Sequence, residues 1–168
     1  MYTLLDLIPL STVLNILLLI CYVAVVSRIT SYTIIITGVI LIEFLHQGLY
    51  AFLSQPAAFE LVGSWLYAAW YLGFGITDFA FVTIVIVVCK LSGTPIQSTS
   101  KIILGIFSFL GLLQVVRFIE KQYSGTDYFK VMYTQGIPFV NYIVVALLGG
   151  QLLKDVSNRK KWAEDDVC

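Results

Sequence analysis

The chain has 168 residues, of which 59% are hydrophobic and only 12% charged, with a mean hydropathy of +0.91. Soluble domains carry about 25% charged residues, so this composition excludes an ordinary soluble enzyme or signalling domain and points to an integral membrane protein. Ten basic and ten acidic residues cancel; no basic field argues for nucleic acid, and the partner that composition implies is the lipid bilayer.

At about 20 residues per crossing, the length accommodates a single all-α membrane domain over residues 1–168 with five transmembrane spans. The first predicted span covers residues 4–26. It is almost unbroken hydrocarbon with no basic stretch ahead of it, which predicts a retained helix and not a removed leader. Asp6 lies near its outer end, Pro9 in a first turn that tolerates a missing N–H, and Asn15 at its centre.

The second span, residues 32–55, is the most informative stretch. Glu43 sits at its middle, and His46, Gln47, Tyr50 and Ser54 follow at offsets that fall along one helical face. Lipid cannot satisfy such a stripe, so it must turn toward protein or water.

The third span, residues 59–89, is about 46 Å long at 1.5 Å per residue, more than the roughly 30 Å hydrocarbon core. It must tilt, kink or protrude, and Gly73 and Gly75 are the expected bend. Its aromatic half offers Tyr67, Trp70, Tyr71 and Phe74, either as an interfacial belt or as a pocket. Asp78 lies near its centre, on the face shared by Tyr67, Tyr71, Phe74 and Phe81.

A polar loop over 90–101, broken by Gly93 and Pro95, precedes the fourth span at 102–118. There Gln114, Arg117 and Lys121 share a face, and Gly105, Ser108 and Gly111 offer a small-residue surface for close helix contact. The fifth span, 131–153, holds Asn141 near its centre, with Gly136 and Pro138 before it and Gly149-Gly150 near its end. The charged tail reads as a cytoplasmic end or a frayed extension of that helix.

Orientation follows from the basic residues. With the N-terminus outside, Arg28, Lys90, Lys101, Lys154, Arg159, Lys160 and Lys161 lie inside, against Arg117, Lys121 and Lys130 outside. The positive-inside rule then predicts N-out, C-in, with a cytoplasmic tail that includes Cys168.

Asn15, Glu43, Asp78 and Asn141 all fall near the middle of their spans, with Gln114 and Arg117 one and two turns from the middle of the fourth. A charge at that depth costs about 3 kcal/mol on insertion scales, so the residues are expected to face one interior. Glu43, His46 and Asp78 would be its acidic core, and Arg117 its counter-charge. Each has a structural alternative: Glu43 and His46 as a neutralised pair fixing register, Asp78 and Arg117 as a tie between the third and fourth spans, Asn15 and Asn141 as interhelical hydrogen bonds. Glu43 and His46, three residues apart, are expected to titrate as one unit.

Several chemistries lack their residues. The Glu43-x-x-His46 spacing occurs once where di-iron bundles use it twice, and the chain holds one histidine, so no metal site is expected. Cys21, Cys89 and Cys168 form no metal or redox motif. No lysine lies deep in a span, no nucleophile elbow is present, and no cofactor motif is evident. These absences weigh against an enzyme. The sequence favours a channel or transporter-like protein moving protons or a small cation past Glu43, His46 and Asp78. The rivals are a non-catalytic subunit of a larger membrane complex, and a membrane-embedded small-ligand receptor or enzyme using the aromatic end of the third span. Five short helices are expected to enclose little volume, so a pore or wide site would need a homo-oligomer.

Overall fold

A computed structural model of the chain describes residues 8–26 and 29–165, with side chains as far as residue 158. Asp6, Arg28 and Cys168, and the side chains of Arg159, Lys160 and Lys161, lie outside the described residues.

The described residues fold into helices joined by short turns, with no strand among them. Helix α1 is Leu10–Val26, α2 Ser31–Leu53, α3 Pro56–Val62, α4 Leu66–Leu91, α5 Ser98–Ile119 and α6 Ile137–Asp165. Four helical segments are long and apolar enough to cross a membrane, namely α2, α3 with α4, α5 with its extension to Ser124, and α6 with the turn before it; α1 is a shorter apolar fifth. The protein is a helical membrane bundle. Lipid offers the backbone no partners, and these helices satisfy it internally.

Local chemistry sets the boundaries. The carbonyl of Pro9 accepts the amides of Thr12 and Val13, so α1 begins directly after it. Thr30, extended before α2, donates its backbone N–H to the Thr33 hydroxyl at 3.3 Å. Pro56 occupies the first turn of α3, where its missing N–H is harmless. The long third span breaks at Gly63, whose φ of 57° with ψ of −131° is a positive-φ conformation that glycine accepts and other residues rarely adopt. A single 3₁₀ turn over Gly63–Trp65 then leads into α4. At Gly73 and Gly75, where a bend is expected, α4 keeps its helical hydrogen bonding without interruption. Gly75 has another use: a Cβ there would lie 3.2 Å from the carbonyl oxygen of Gly111, and one on Gly111 would meet Gly75 in the same way. The two glycines mark where α4 and α5 cross most closely. Gly105 faces open space and Ser108 bonds its own helix at Leu104, so of the small stripe on α5 only Gly111 makes the close approach.

The α5–α6 connection is wound into π-helical turns at Glu120–Ser124 and Met132–Gly136. The second ends just before Pro138, which cannot donate to the preceding turn and so favours a local bulge there. The last helix continues through Lys154 to Asp165, making much of the tail an extension of α6.

Around the bundle the neighbours run α1, α2, α4, α5, α6, and α6 closes on α1. Helix α2 also touches α5 and α6. Tyr22, late in α1, hydrogen-bonds Asp155, late in α6, so these two helices run parallel. The half of the bundle holding the α1–α2 and α4–α5 connections is a dry core. Ile35, Ile36 and Val39 of α2 pack there with Phe81 and Val85 of α4, Ile103 and Phe107 of α5, and Val144 and Leu148 of α6. Apolar burial gains little from transfer in lipid, so dispersion and fit hold this half together. Beyond the core, its end is laced by polar bonds. Tyr22 stacks on Tyr32 and meets Thr30, Ser100 donates to Ser31, and Thr99 donates to Gln151, which donates to Asp155.

Candidate functional site

The opposite half of the bundle contains a central cavity of about 460 Å³ to which α1, α2, α4, α5 and α6 all contribute. Five short helices therefore leave a ligand-sized, partly open space within one chain, more volume than the sequence leads one to expect. Bulky side chains at this end, Trp70 and Tyr133 among them, stand between the helices where Ile and Val interlock in the dry half.

Two stripes build the main wall. On α2, Glu43, His46, Gln47 and Tyr50 recur at helical spacing; on α4, Trp70, Phe74 and Asp78 recur every four residues. Their aromatic rings form a continuous file. Tyr50 meets Trp70 at 5.7 Å, Trp70 meets Phe74 at 5.8 Å, and Phe74 meets the His46 ring at 4.9 Å. From Trp70 to Asp78 the file descends about 12 Å along the helix, from the exposed Tyr50 to an acid that is 1% exposed. Phe107 and Leu110 close the floor, and Gln114, Tyr133 and Asn141 complete the far side.

The acids are held differently from the sequence expectation. Asn15, fully buried on α1, donates its amide to both oxygens of Glu43 at 3.2 and 3.3 Å. His46 turns instead to α4: its Nε2 lies 2.8 Å from the Thr77 hydroxyl, which donates its own proton to the Phe74 carbonyl at 2.8 Å. With that proton committed, Thr77 accepts and His46 Nε2 carries the hydrogen. Asp78 Oδ1 lies 3.7 Å from the same nitrogen, outside hydrogen-bond range, and no protein donor reaches that oxygen. Glu43 and His46 thus share a cavity but not a partner, because one step of three residues turns the first toward α1 and the second toward α4.

Arg117 is not the counter-charge of Asp78. Buried on α5, it donates through Nη1 to Glu120 one turn on and through Nη2 to Asp127 at 2.6 Å. Lys121 also reaches Asp127 at 2.6 Å, and Glu120 accepts from Thr126 and from the Phe129 amide. The connection folds back over the end of α5 and supplies the anions itself, so the guanidinium charge is spent locally. Asp127, outside the spans, is drawn down to about 2, first by the Lys121 ammonium and then by Arg117. Among the described residues, no lysine or arginine pairs with Glu43 or Asp78, and no three His, Cys, Asp or Glu side chains converge as metal ligands would.

Of the aromatic candidates, Trp70 and Phe74 line the cavity. Tyr71 is buried behind them, edge-on to Tyr133 at 5.5 Å, and Tyr67, 65% exposed, stays outside the cavity but with Trp70 and Tyr71 lines a separate pocket of about 290 Å³. Asn141 and Gln47 reach the cavity, as does Gln114, whose buried Oε1 has no partner. Thr77 and Tyr133 carried no signal in the sequence. Thr77 hides in an apolar run, and Tyr133, which accepts from the Trp70 indole at 3.0 Å, stands at the start of the fifth predicted span away from its central polar residue. No protein-family model matches this chain, and comparison with curated proteins and with solved structures finds nothing similar.

Proposed function

We propose that the protein is a membrane carrier that takes small cations, protons among them, into the cavity and holds them at mid-membrane on Glu43 and Asp78. One observation carries this reading: Asp78, with an unpartnered oxygen and only the His46 ring 3.7 Å away, and Glu43, held by the neutral Asn15 amide, stand without a lysine or arginine in a cavity that ends blindly on packed hydrocarbon. A buried carboxylate left without compensation is expensive, and a cation entering the cavity relieves that cost. The dry core beneath supports a carrier over an open channel, since the packed Ile36, Phe81, Ile103 and Phe107 leave no continuous polar path. Release to the other side then requires the core to loosen while the mouth closes, as alternating-access proteins do. With the N-terminus outside, as the basic residues argue, the mouth faces the exterior.

The reading is tested in proteoliposomes on a solid-supported membrane, with concentration jumps of protons, sodium, potassium and simple ammonium ions. At least one cation should give a saturable charge displacement, and Glu43→Gln should abolish it while the protein stays folded. Asn15 can still bond the substituted amide, so folding is expected to survive. No displacement above empty liposomes for any cation would end the carrier reading. Loss of folded Glu43→Gln would favour the rival in which Asn15 and Glu43 merely lock α1 to α2 within a larger assembly.

A further inference from the structure

From the shape and chemistry of the same cavity we propose that its preferred occupant is an organic ammonium ion with an apolar body, its N–H groups on Asp78 and its body along the Tyr50–Trp70–Phe74 file. The proposal rests on the cation-site reading above and names the class of cation.

Three observations converge. First, the unpartnered buried atoms in the wall, Asp78 Oδ1 and Gln114 Oε1, are both acceptors. What they lack is a donor, and an ammonium brings two or three donors together with the charge that Asp78 requires. Second, the descent to Asp78 is lined by the rings of Tyr50, Trp70, Phe74 and His46, in edge-on or tilted pairs with centroids 4.9–5.8 Å apart, and an aromatic ring carries a negative face. Such faces attract a cation through their quadrupole and at the same time accept hydrocarbon. Third, the size is wrong for a bare metal ion. A site for calcium gathers six to eight oxygens at about 2.3–2.6 Å, whereas this cavity of about 460 Å³ falls in the range of roughly 300–1,000 Å³ that holds organic ligands. The aromatic file would be idle in the transfer of a proton or a sodium ion.

The test uses phenethylammonium as the probe, titrated calorimetrically into the full-length protein in detergent, with 2-phenylethanol as its neutral counterpart. Saturable binding of the ammonium, with the alcohol at least about tenfold weaker, is expected. A desolvated charge-assisted contact is worth more than the roughly 1.4 kcal/mol that a tenfold ratio represents. Asp78→Asn should remove that preference. Tyr50→Ala, at an exposed position where folding is not at stake, should weaken the ammonium by about two- to fivefold, as loss of a half-exposed cation–π contact would. Equal binding of ammonium and alcohol overturns the proposal, and that comparison needs no variant. Failure to bind phenethylammonium, with sodium or protons still displacing charge in liposomes, overturns the ligand class and leaves the carrier standing. Binding of the ammonium without any charge displacement keeps the ligand class and removes the carrier.

Discussion

Along α2, the residues before Leu41 and those after Ile42 meet different surroundings. Ile35, Ile36 and Val39 are sealed at 0–1% exposure against α4 and α5, while Glu43, His46 and Gln47 line a cavity. Helix α4 divides in the mirrored order, with Phe81, Val85 and Cys89 in the dry core and Trp70, Phe74 and Asp78 in the cavity wall. The same five helices therefore make a half with a packed apolar core, flanked by an apolar groove of about 500 Å³ between α2 and α4, and a half hollowed by a polar cavity, and the boundary falls near Glu43 and Asp78. Packing in the first half relies on β-branched and aliphatic residues that fill space without polar atoms. The second uses large aromatic and polar residues that leave space between them. A bundle too small for two domains thus separates stability from chemistry by depth.

The sharpest way to break this division is to add a polar amide on one side of it and remove one on the other. Ile36→Asn buries an amide with no partner in the dry core, and it should destabilise the protein by about 3 kcal/mol, combining lost packing with desolvation. Gln47→Ala, on the same helical face about three turns on but in the hollow half, should change stability by no more than about 0.5 kcal/mol. Thermal unfolding in detergent measures both. Equal losses would mean that the cavity wall is packed as tightly as the core.

The boundary itself is set where α4 crosses α5, and glycines sharpen it next. An added Cβ on Gly111 would lie 3.1 Å from the Phe79 ring and 3.2 Å from the Gly75 oxygen, whereas one on Gly105 meets nothing within 4 Å. Gly111→Leu should therefore cost about 2 kcal/mol by forcing the helices apart. Gly105→Leu should be neutral or gain up to about 1 kcal/mol from helix propensity. Only Gly111→Leu should lower the unfolding temperature; a Gly111→Leu protein as stable as wild type would place the crossing elsewhere.

A smaller effect distinguishes the partners within the cavity. Asn15 with Glu43, and Thr77 with His46, are the bonded pairs. In alanine double-mutant cycles followed by thermal unfolding, each pair should show a coupling of about 1 kcal/mol. Glu43 and His46 should add to within about 0.5 kcal/mol, as independent sites do. A Glu43–His46 coupling above that of the bonded pairs would restore the joint titration expected from their spacing.

The stripes were legible in the sequence because depth and helical face follow from position alone. Asn15, Glu43, Asp78 and Asn141 at mid-span, and Glu43, His46, Gln47 and Tyr50 on one face, needed only a count of residues. Partners were not legible, since they depend on how each helix is rotated against its neighbour, and three residues on α2 were enough to send Glu43 and His46 to different helices. Arg117 was misjudged for a related reason. Glu120 stood at i+3 in plain view, but Asp127 reaches it only because the connection coils back through Gly125, whose φ is 59°. The break at Gly63 and the close approach at Gly75 show the same gap: both glycines were visible, but the sequence could not say which turned the chain and which let two helices meet.

The smallest expected effect belongs to the mouth, at Asp127. Its carboxyl falls from an ordinary 3.8 to about 2 because Lys121 and Arg117 favour the ionised form. A depressed pKa means the folded state binds its proton less readily than the unfolded chain. The contribution is therefore complete above about pH 4 and fades as the pH drops toward about 2. Asp127→Asn removes the titrating group, so its unfolding temperature should lie below wild type at neutral pH, with the gap closing across that acid window. The side chain is 49% exposed, so solvent screens the interaction, and raising the salt should narrow the gap further. Thermal unfolding of both proteins from pH 6 down to about pH 2, at low and high salt, measures this difference while the other carboxylates titrate alike in each. An acid response identical in the two would mean that Asp127 ionises as easily in the folded connection as in the unfolded chain, leaving Glu120 alone to hold the buried Arg117 charge at the rim of the hollow half.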